Sequence, residues 1–286
     1  MKILILGGNR YFGKRLAKNL AAKGNEVTIL TRGNVNPEIP GILRLKGDRT
    51  NLESMQTAIG EKKYDVVVDN ICMTAKDAKI SLKVFAGKTS QYLMTSTLSI
   101  YPFRGNMKET DYDPRDYKPI PVKDPWAEYS EGKRAAEQVF FTKAPFKVAI
   151  LRIPVIVGED DYTRRLQDQV LKVKNGEPIY IPNREGKMSF LRSEDAAQAM
   201  QWLIENHKEG IYNFSSADTI SQIGLIHLIE KITGKKANLD EATEKDWSPF
   251  GMPDDWYMNV EKAAKEGFTP PPMTAWLPEL IQYFAR

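Results

Sequence analysis

Tyr129 and Lys133 stand four residues apart in Tyr129-Ser-Glu-Gly-Lys133, a spacing that sets both on one face of a helix. A phenol, with a reference pKa of about 10, is inert near neutral pH. An ammonium beside it favours the phenolate and turns it into a usable acid/base. Among the twelve tyrosines only Tyr129 has a lysine four residues on. A run of hydroxyls, Thr95-Ser-Thr-Leu-Ser-Ile-Tyr101, follows an apolar stretch upstream. At the start of the chain, Gly7-Gly-Asn-Arg-Tyr-Phe-Gly13 sits between a short apolar strand and residues whose apolar members (Leu16, Ala17, Leu20, Ala21) recur at helical spacing. A glycine turn opening into a helix directs backbone N–H groups and the positive end of the helix dipole at an anion such as a pyrophosphate.

These groups need a scaffold, and the hydropathy pattern predicts one. Strands are expected at Glu26–Thr31, Ile42–Lys46, Asp65–Asp69, Gln91–Thr95 and Lys147–Ile153, with helices at Asn51–Ile59, Ala75–Ala86 and Glu128–Thr142 between them. Near-continuous apolar strands alternating with amphipathic helices imply a parallel sheet covered on both faces. The fold class is therefore α/β, a doubly wound parallel sheet (Rossmann fold) with a smaller C-terminal substrate lobe. We expect a dinucleotide-binding domain over 1–157, completed by about 187–215, and a lobe from 158–186 and 216–286. The lobe should hold a helix at Thr163–Asn175, a short strand at Pro178–Ile181 and helices at Glu194–Asn206 and Ser221–Thr233. The Pro- and Tyr-rich stretch from Pro102 to Pro125 is long enough for a functional loop.

Composition narrows the class. With 42% hydrophobic and 27% charged residues the chain has an ordinary globular balance. One cysteine, Cys72, excludes a disulfide framework and points to a reducing compartment. His207 and His227 have no partner at metal-ligand spacing, so no metal is expected. The residues after Met1-Lys2 are too short an apolar run for a secretory signal, and no membrane span is expected, so the sequence reads as cytoplasmic. A net charge of +4, with both signs interspersed, suits an anionic small molecule better than nucleic acid.

Taken together, these motifs resemble those of the extended short-chain dehydrogenases/reductases, in the NAD-dependent epimerase/dehydratase family, over roughly residues 1–215. The resemblance implies Tyr129 as the acid/base that exchanges a proton with a substrate alcohol or carbonyl. It makes Lys133 the partner of Tyr129 and of the nicotinamide ribose, and Thr97 the hydroxyl that polarises the substrate carbonyl. It also implies a cofactor cradle of Gly7, Gly8, Asn9, Arg10, Tyr11, Phe12 and Gly13. Asp48 and Arg49 would lie beside the adenine, Asn70 and Ile71 would pass under the cofactor with Thr95, and Arg152 to Gly158, with Pro154, would close over the nicotinamide. A small-molecule substrate is implied, with a sugar or sugar nucleotide as the candidate, and a homodimer is compatible with this reading.

Departures from the family pattern carry information too. Arg10 replaces the middle glycine of the turn, and the second strand ends Thr31-Arg32 where an acidic residue would accept from the ribose 2′-OH. Two guanidiniums and no carboxylate favour a 2′-phosphate, hence NADP, with NAD kept open. Leu98-Ser99 cannot do the work of the Asp-Glu pair of sugar-nucleotide dehydratases, and Pro102 replaces a glycine in the following loop. Met188 stands where nucleotide-sugar epimerases place a diphosphate-clamping arginine, leaving Lys187, Arg184 or Arg192 as substitutes. The expected activity is an NAD(P)-dependent oxidoreductase or epimerase. The alternative is an epimerase-like RNA-binding or cofactor-sensing protein without turnover, because some chloroplast stem-loop RNA-binding proteins share the Gly-Gly-x-Arg-x-x-Gly turn.

Overall fold

A computed structural model of the chain describes residues 1–33 and 39–286. Its elements, in chain order, are β1 (Lys2–Leu6), α1 (Tyr11–Ala22), β2 (Glu26–Thr31), β3 (Leu43–Lys46), α2 (Leu52–Ile59), β4 (Tyr64–Asp69), α3 (Ala75–Phe85) and β5 (Thr89–Thr97). There follow α4 (Tyr129–Lys143), β6 (Lys147–Ile153), β7 (Val155–Val157), α5 (Arg165–Asn175), β8 (Lys187–Met188), β9 (Phe190–Arg192) and α6 (Ser193–Glu205). The remainder are β10 (Gly210–Asn213), β11 (Ile220–Ser221), α7 (Gln222–Thr233), α8 (Glu261–Lys265) and α9 (Leu277–Ala285).

The chain divides into two compact units. The first comprises residues 1–100, 109–153 and 196–212. Among the described residues, seven strands form its sheet in the order β10-β6-β5-β4-β1-β2-β3. From β3 through β6 the pairings are parallel. Ile3 to Leu6 and Val66 to Val68 are buried because helices cover both faces of the sheet. α1 turns Leu16, Ala17 and Leu20 inward, and α4 buries Ala135, Ala136, Val139 and Phe140. Strand order reverses between β1 and β4, and in such sheets the crevice beyond the carboxyl ends at this switch point is the usual ligand position. β1 is followed there by Gly7, β4 by Asn70, and β5 ends on Thr97.

The second unit comprises residues 101–108, 154–195 and 213–286. It contains a parallel pair, β7 with β9, and an antiparallel pair, β8 with β11. α5, α7 and α9 pack on its own core, which includes Leu166, Val170, Phe190, Ile229, Trp276 and Ile281. Ser221 caps α7 by accepting from the Gly224 N–H at 3.1 Å.

Two expectations need correction. Residues 101–108, 154–157, 187–195 and 213–215, expected in the first unit, fall in the second. Strand pairing is the reason: β7 finds its partner in β9 and β8 in β11, not in the large sheet. Pro178–Ile181 forms no strand. Pro178 and Tyr180 make isolated bridges to Asn238 and Trp247, which a local hydropathy pattern cannot foretell.

Candidate active site

The glycine turn is shaped by close approach. Gly7 has φ +82°, a left-handed conformation that glycine adopts without a Cβ clash, and its N–H donates to the Leu30 carbonyl at 3.2 Å. A Cβ on Gly8 would come within 2.7 Å of Ile29, and one on Gly13 within 2.7 Å of the Gly7 carbonyl oxygen. The backbone therefore folds tightly between β1 and α1. Arg10, in extended conformation (φ −137°, ψ 157°), is the N-cap of α1, and its side chain makes no capping bond; the first turn holds no acidic residue. A helix start without a side-chain cap or a nearby carboxylate suits an anion. Tyr11 is buried, while Asn9 and Phe12 are half-buried and Arg10 is exposed.

Asn70 extends the β1–β4 ladder, its N–H donating to the Leu6 carbonyl at 3.1 Å. The Asn70 Oδ1 accepts from Thr95 Oγ1 at 2.8 Å. Its Nδ2, by contrast, is buried with no hydrogen-bond partner among the described residues, and lies 3.0 Å from where a Gly13 Cβ would be. An orphaned buried donor costs roughly 1–3 kcal/mol, so one aimed at the turn marks a place for an acceptor from a ligand. Ile71, 38% exposed, lies against Gly7 and gives the turn an apolar wall. An uncapped helix start, glycines that admit close approach and an orphaned amide fit a dinucleotide.

Arg32 is exposed directly after β2. Asp48 accepts from the Thr50 Oγ1 at 2.7 Å and the Thr50 N–H at 2.9 Å. Those bonds, aided by the nearby Arg32 and Arg49 charges, hold its carboxyl below the usual carboxylate range. The expectation for Arg49 is corrected. Its guanidinium is 4% exposed and turned inward, paired with Asp69 and lying 3.4 Å from Asp77. Tyr92 donates to the same Asp69 oxygen at 2.6 Å. Although burial works against its charge, the adjacent Asp69 carboxylate keeps Arg49 firmly protonated.

Lys133 is 2% exposed, its ammonium donating to the carbonyls of Cys72 at 2.7 Å and Thr95 at 2.8 Å. It lies 5.7 Å from the Tyr129 ring centroid. The i, i+4 spacing thus brings the ammonium beside the phenol, as helix geometry requires. Tyr129 itself is half-buried at the first turn of α4. Thr97 is the last residue of β5, not part of a following bend, and its Oγ1 accepts from the Ser99 N–H at 3.1 Å.

The loop after β4 joins these groups. Ile71 N–H donates to Asp69 at 3.1 Å, and Met73 and Thr74 N–H donate to Asp77 at 2.9 and 3.0 Å. Sequence reasoning missed Asp69, Asp77 and Tyr92, yet Thr74-x-x-Asp77 is a legible capping signature and forms a full capping box. Arg152, expected over the nicotinamide, is fully buried in the first unit. It pairs with Glu137 and donates to the Glu109 and Tyr112 carbonyls, both at 3.2 Å. Pro154 opens the second unit.

A sequence profile of the NAD dependent epimerase/dehydratase family matches residues 3–79 and 69–214. The chain belongs to that family. As a family member it is 27% identical over 250 residues, 82% of its length, to the Chloroplast stem-loop binding protein of 41 kDa b of Arabidopsis thaliana, of which it spans 63%. It is 24% identical over 275 residues to the UDP-glucose 4-epimerase of Lacticaseibacillus casei, covering 82% of each. The epimerase fold is equally evident in the crystal structure of the Thermus thermophilus UDP-glucose 4-epimerase in complex with NAD. It superposes with a TM-score of 0.77 at 17% identity and 99% coverage of both chains. No helix among the described residues is long and apolar enough to cross a membrane.

Proposed function

We propose that this chain is an NAD(P)-dependent enzyme acting at a hydroxyl or carbonyl carbon of a small molecule, as an oxidoreductase or an epimerase. The observation that carries this reading is the buried Lys133 ammonium, held by two carbonyls beside the Tyr129 phenol. With two N–H directions taken, Lys133 has a third for a hydroxyl. Tyr129 Oη then gives or takes a proton at the substrate oxygen, and the Thr97 hydroxyl orients that oxygen. The cofactor, when bound, supplies hydride transfer. Gly7, Gly8, Gly13 and the start of α1 would hold its pyrophosphate, and Asn70 Nδ2 would donate to it.

NAD is the cofactor named with the Thermus thermophilus relative. For this chain Arg10 and Arg32 support NADP, because strand β2 ends without a carboxylate to accept from a ribose 2′-OH, while a guanidinium pairs with a 2′-phosphate. A sugar or sugar nucleotide is the substrate class suggested by the relatives' names. Within the second unit Met188 is 1% exposed, and Arg192 pairs with Glu194 and Asp195. Neither serves as a diphosphate clamp, so Arg184 and Lys187 are the exposed cations left for that role.

The test is Tyr129→Phe, which keeps the ring and removes the ionisable oxygen. Turnover of a substrate found by screening sugars and sugar nucleotides for cofactor reduction should fall about 10²–10⁴-fold. Cofactor affinity should stay within a few-fold. Undiminished turnover would refute the role of Tyr129 and leave a binding protein, as the name of the Arabidopsis thaliana relative suggests, as the better reading.

A further inference from the structure

Gly132 sits in the second turn of α4, between Glu131 and Lys133, and its N–H donates to the Glu128 carbonyl at 3.0 Å. It is not among the residues with positive φ, so its backbone conformation is one that any residue adopts. A glycine inside a helix costs stability relative to alanine. Local conformation therefore gives no reason for it. Its surroundings do. A Cβ at this position would lie well under 3.0 Å from the Met73 carbonyl oxygen, closer than real Cβ atoms come, with Thr74 Cγ2 at 3.9 Å.

The Met73 carbonyl cannot readily retreat. The N–H groups of Met73 and Thr74 are both fixed on Asp77, which is 4% exposed and caps α3. Ile71 N–H is fixed on the fully buried Asp69, and the Cys72 carbonyl is held by Lys133 itself. The helix and the loop therefore meet backbone to backbone at one point, directly before the lysine.

We infer that Gly132 is a positioning residue: its missing Cβ lets α4 close on the Met73 carbonyl and so sets where Lys133 delivers its ammonium. The inference rests on the reading of Lys133 as a cofactor and phenol partner. A methyl group at 132 pushes the first turns of α4 off the loop. The Lys133 Nζ then withdraws from the Cys72 and Thr95 carbonyls and from the hydroxyls it serves.

The experiment is Gly132→Ala in the full chain, alone and combined with Lys133→Met, with NADP(H) and NAD(H) binding measured by calorimetric titration. Gly132→Ala should weaken cofactor binding roughly tenfold, the worth of one charge-assisted hydrogen bond, and lower kcat by about 10²-fold for a displacement near 1 Å, with KM changed less. In the Lys133→Met background Gly132→Ala should add little, because its route has been removed. If Gly132→Ala fails to fold, Met73→Gly/Gly132→Ala lets the loop yield in place of the helix, and the folded double variant should bind cofactor within a few-fold of wild type; a deficit as large as that of Lys133→Met would overturn the inference. Wild-type affinity in a folded Gly132→Ala single variant would overturn the inference, and so would losses that add fully to those of Lys133→Met. If Tyr129→Phe keeps full turnover while the Gly132/Lys133 losses fail to add, the acid/base reading falls and the positioning role stands.

Discussion

Arg49→Met separates two readings of one residue. An arginine at the adenine would sit in solvent and act on cofactor affinity. The structure instead encloses it at 4% exposure between Asp69, fully buried, and Asp77, also 4% exposed. Removing one partner of a buried ion pair costs about 3–5 kcal/mol, because the remaining charges stay desolvated. Methionine fills much of the volume, so the loss is chiefly electrostatic. For a chain of this size 1 kcal/mol moves Tm by roughly 2–4 °C, which predicts a fall of about 6–20 °C. The assay is calorimetric melting without cofactor, since bound cofactor would stabilise by mass action. Arg32→Met, at an exposed position, is the control and should move Tm by no more than about 2 °C. Asp77→Asn combined with Arg49→Met should cost less than the sum of the single changes, as expected for one coupled network. A melting temperature within about 2 °C of wild type, together with lost cofactor affinity, would refute the inward placement.

Other outcomes follow from the same geometry. Gly13→Ala places a methyl 2.7 Å from the Gly7 carbonyl oxygen and should weaken cofactor binding at least tenfold by calorimetric titration; unchanged binding would dissociate the turn from the cofactor. Arg32→Asp should reverse an NADP preference toward NAD, since a carboxylate repels a 2′-phosphate and accepts from a 2′-OH; an unaltered ratio of the two dissociation constants would count against Arg32. Asp48 has its folded-state pKa lowered, so its contribution to stability is present above the ordinary carboxylate range and is lost as pH falls through the folded value. Thr50→Val, which removes one donor, should therefore shift the Asp48 titration upward when followed by NMR. Thr97→Val should slow turnover while leaving cofactor affinity alone, checked by comparing kcat with the cofactor dissociation constant.

Where the chain's local signals act alone, reading them was enough. The β6 boundaries, Lys147–Ile153, match the apolar run, and α3 begins where Thr74 and Asp77 cap it. The Tyr129/Lys133 pairing needed only the 3.6-residue turn. What stayed hidden depends on partners distant in sequence. β5 runs to Thr97 because residues through Ile153 of β6 continue to pair with it, so Thr97 is a strand residue. Arg49 follows Asp48 in a segment that reads as a polar surface turn. It is the carboxylates of Asp69 and Asp77, brought in by β4 and α3, that draw it inside. The unit boundary likewise depends on which strand β7 chooses, and three residues of Val155-Ile-Val157 carry no information about that choice.

Cys72 lies at the centre of the loop that links the glycine turn to Lys133, and it is the chain's one thiol. Burial pushes it up to about 12, despite the nearby Arg49 and Lys133 charges. A thiol in that condition is chemically silent while the loop is closed, because only the thiolate reacts and the sulfur is covered. The native protein therefore carries an internal clock. The rate at which a disulfide reagent consumes this single thiol measures how often the loop opens, with no label introduced. Cofactor seated against Asn70 and Ile71 should slow that rate. The same thiol is also shielded from oxidation, so its own oxidation would proceed only through those openings.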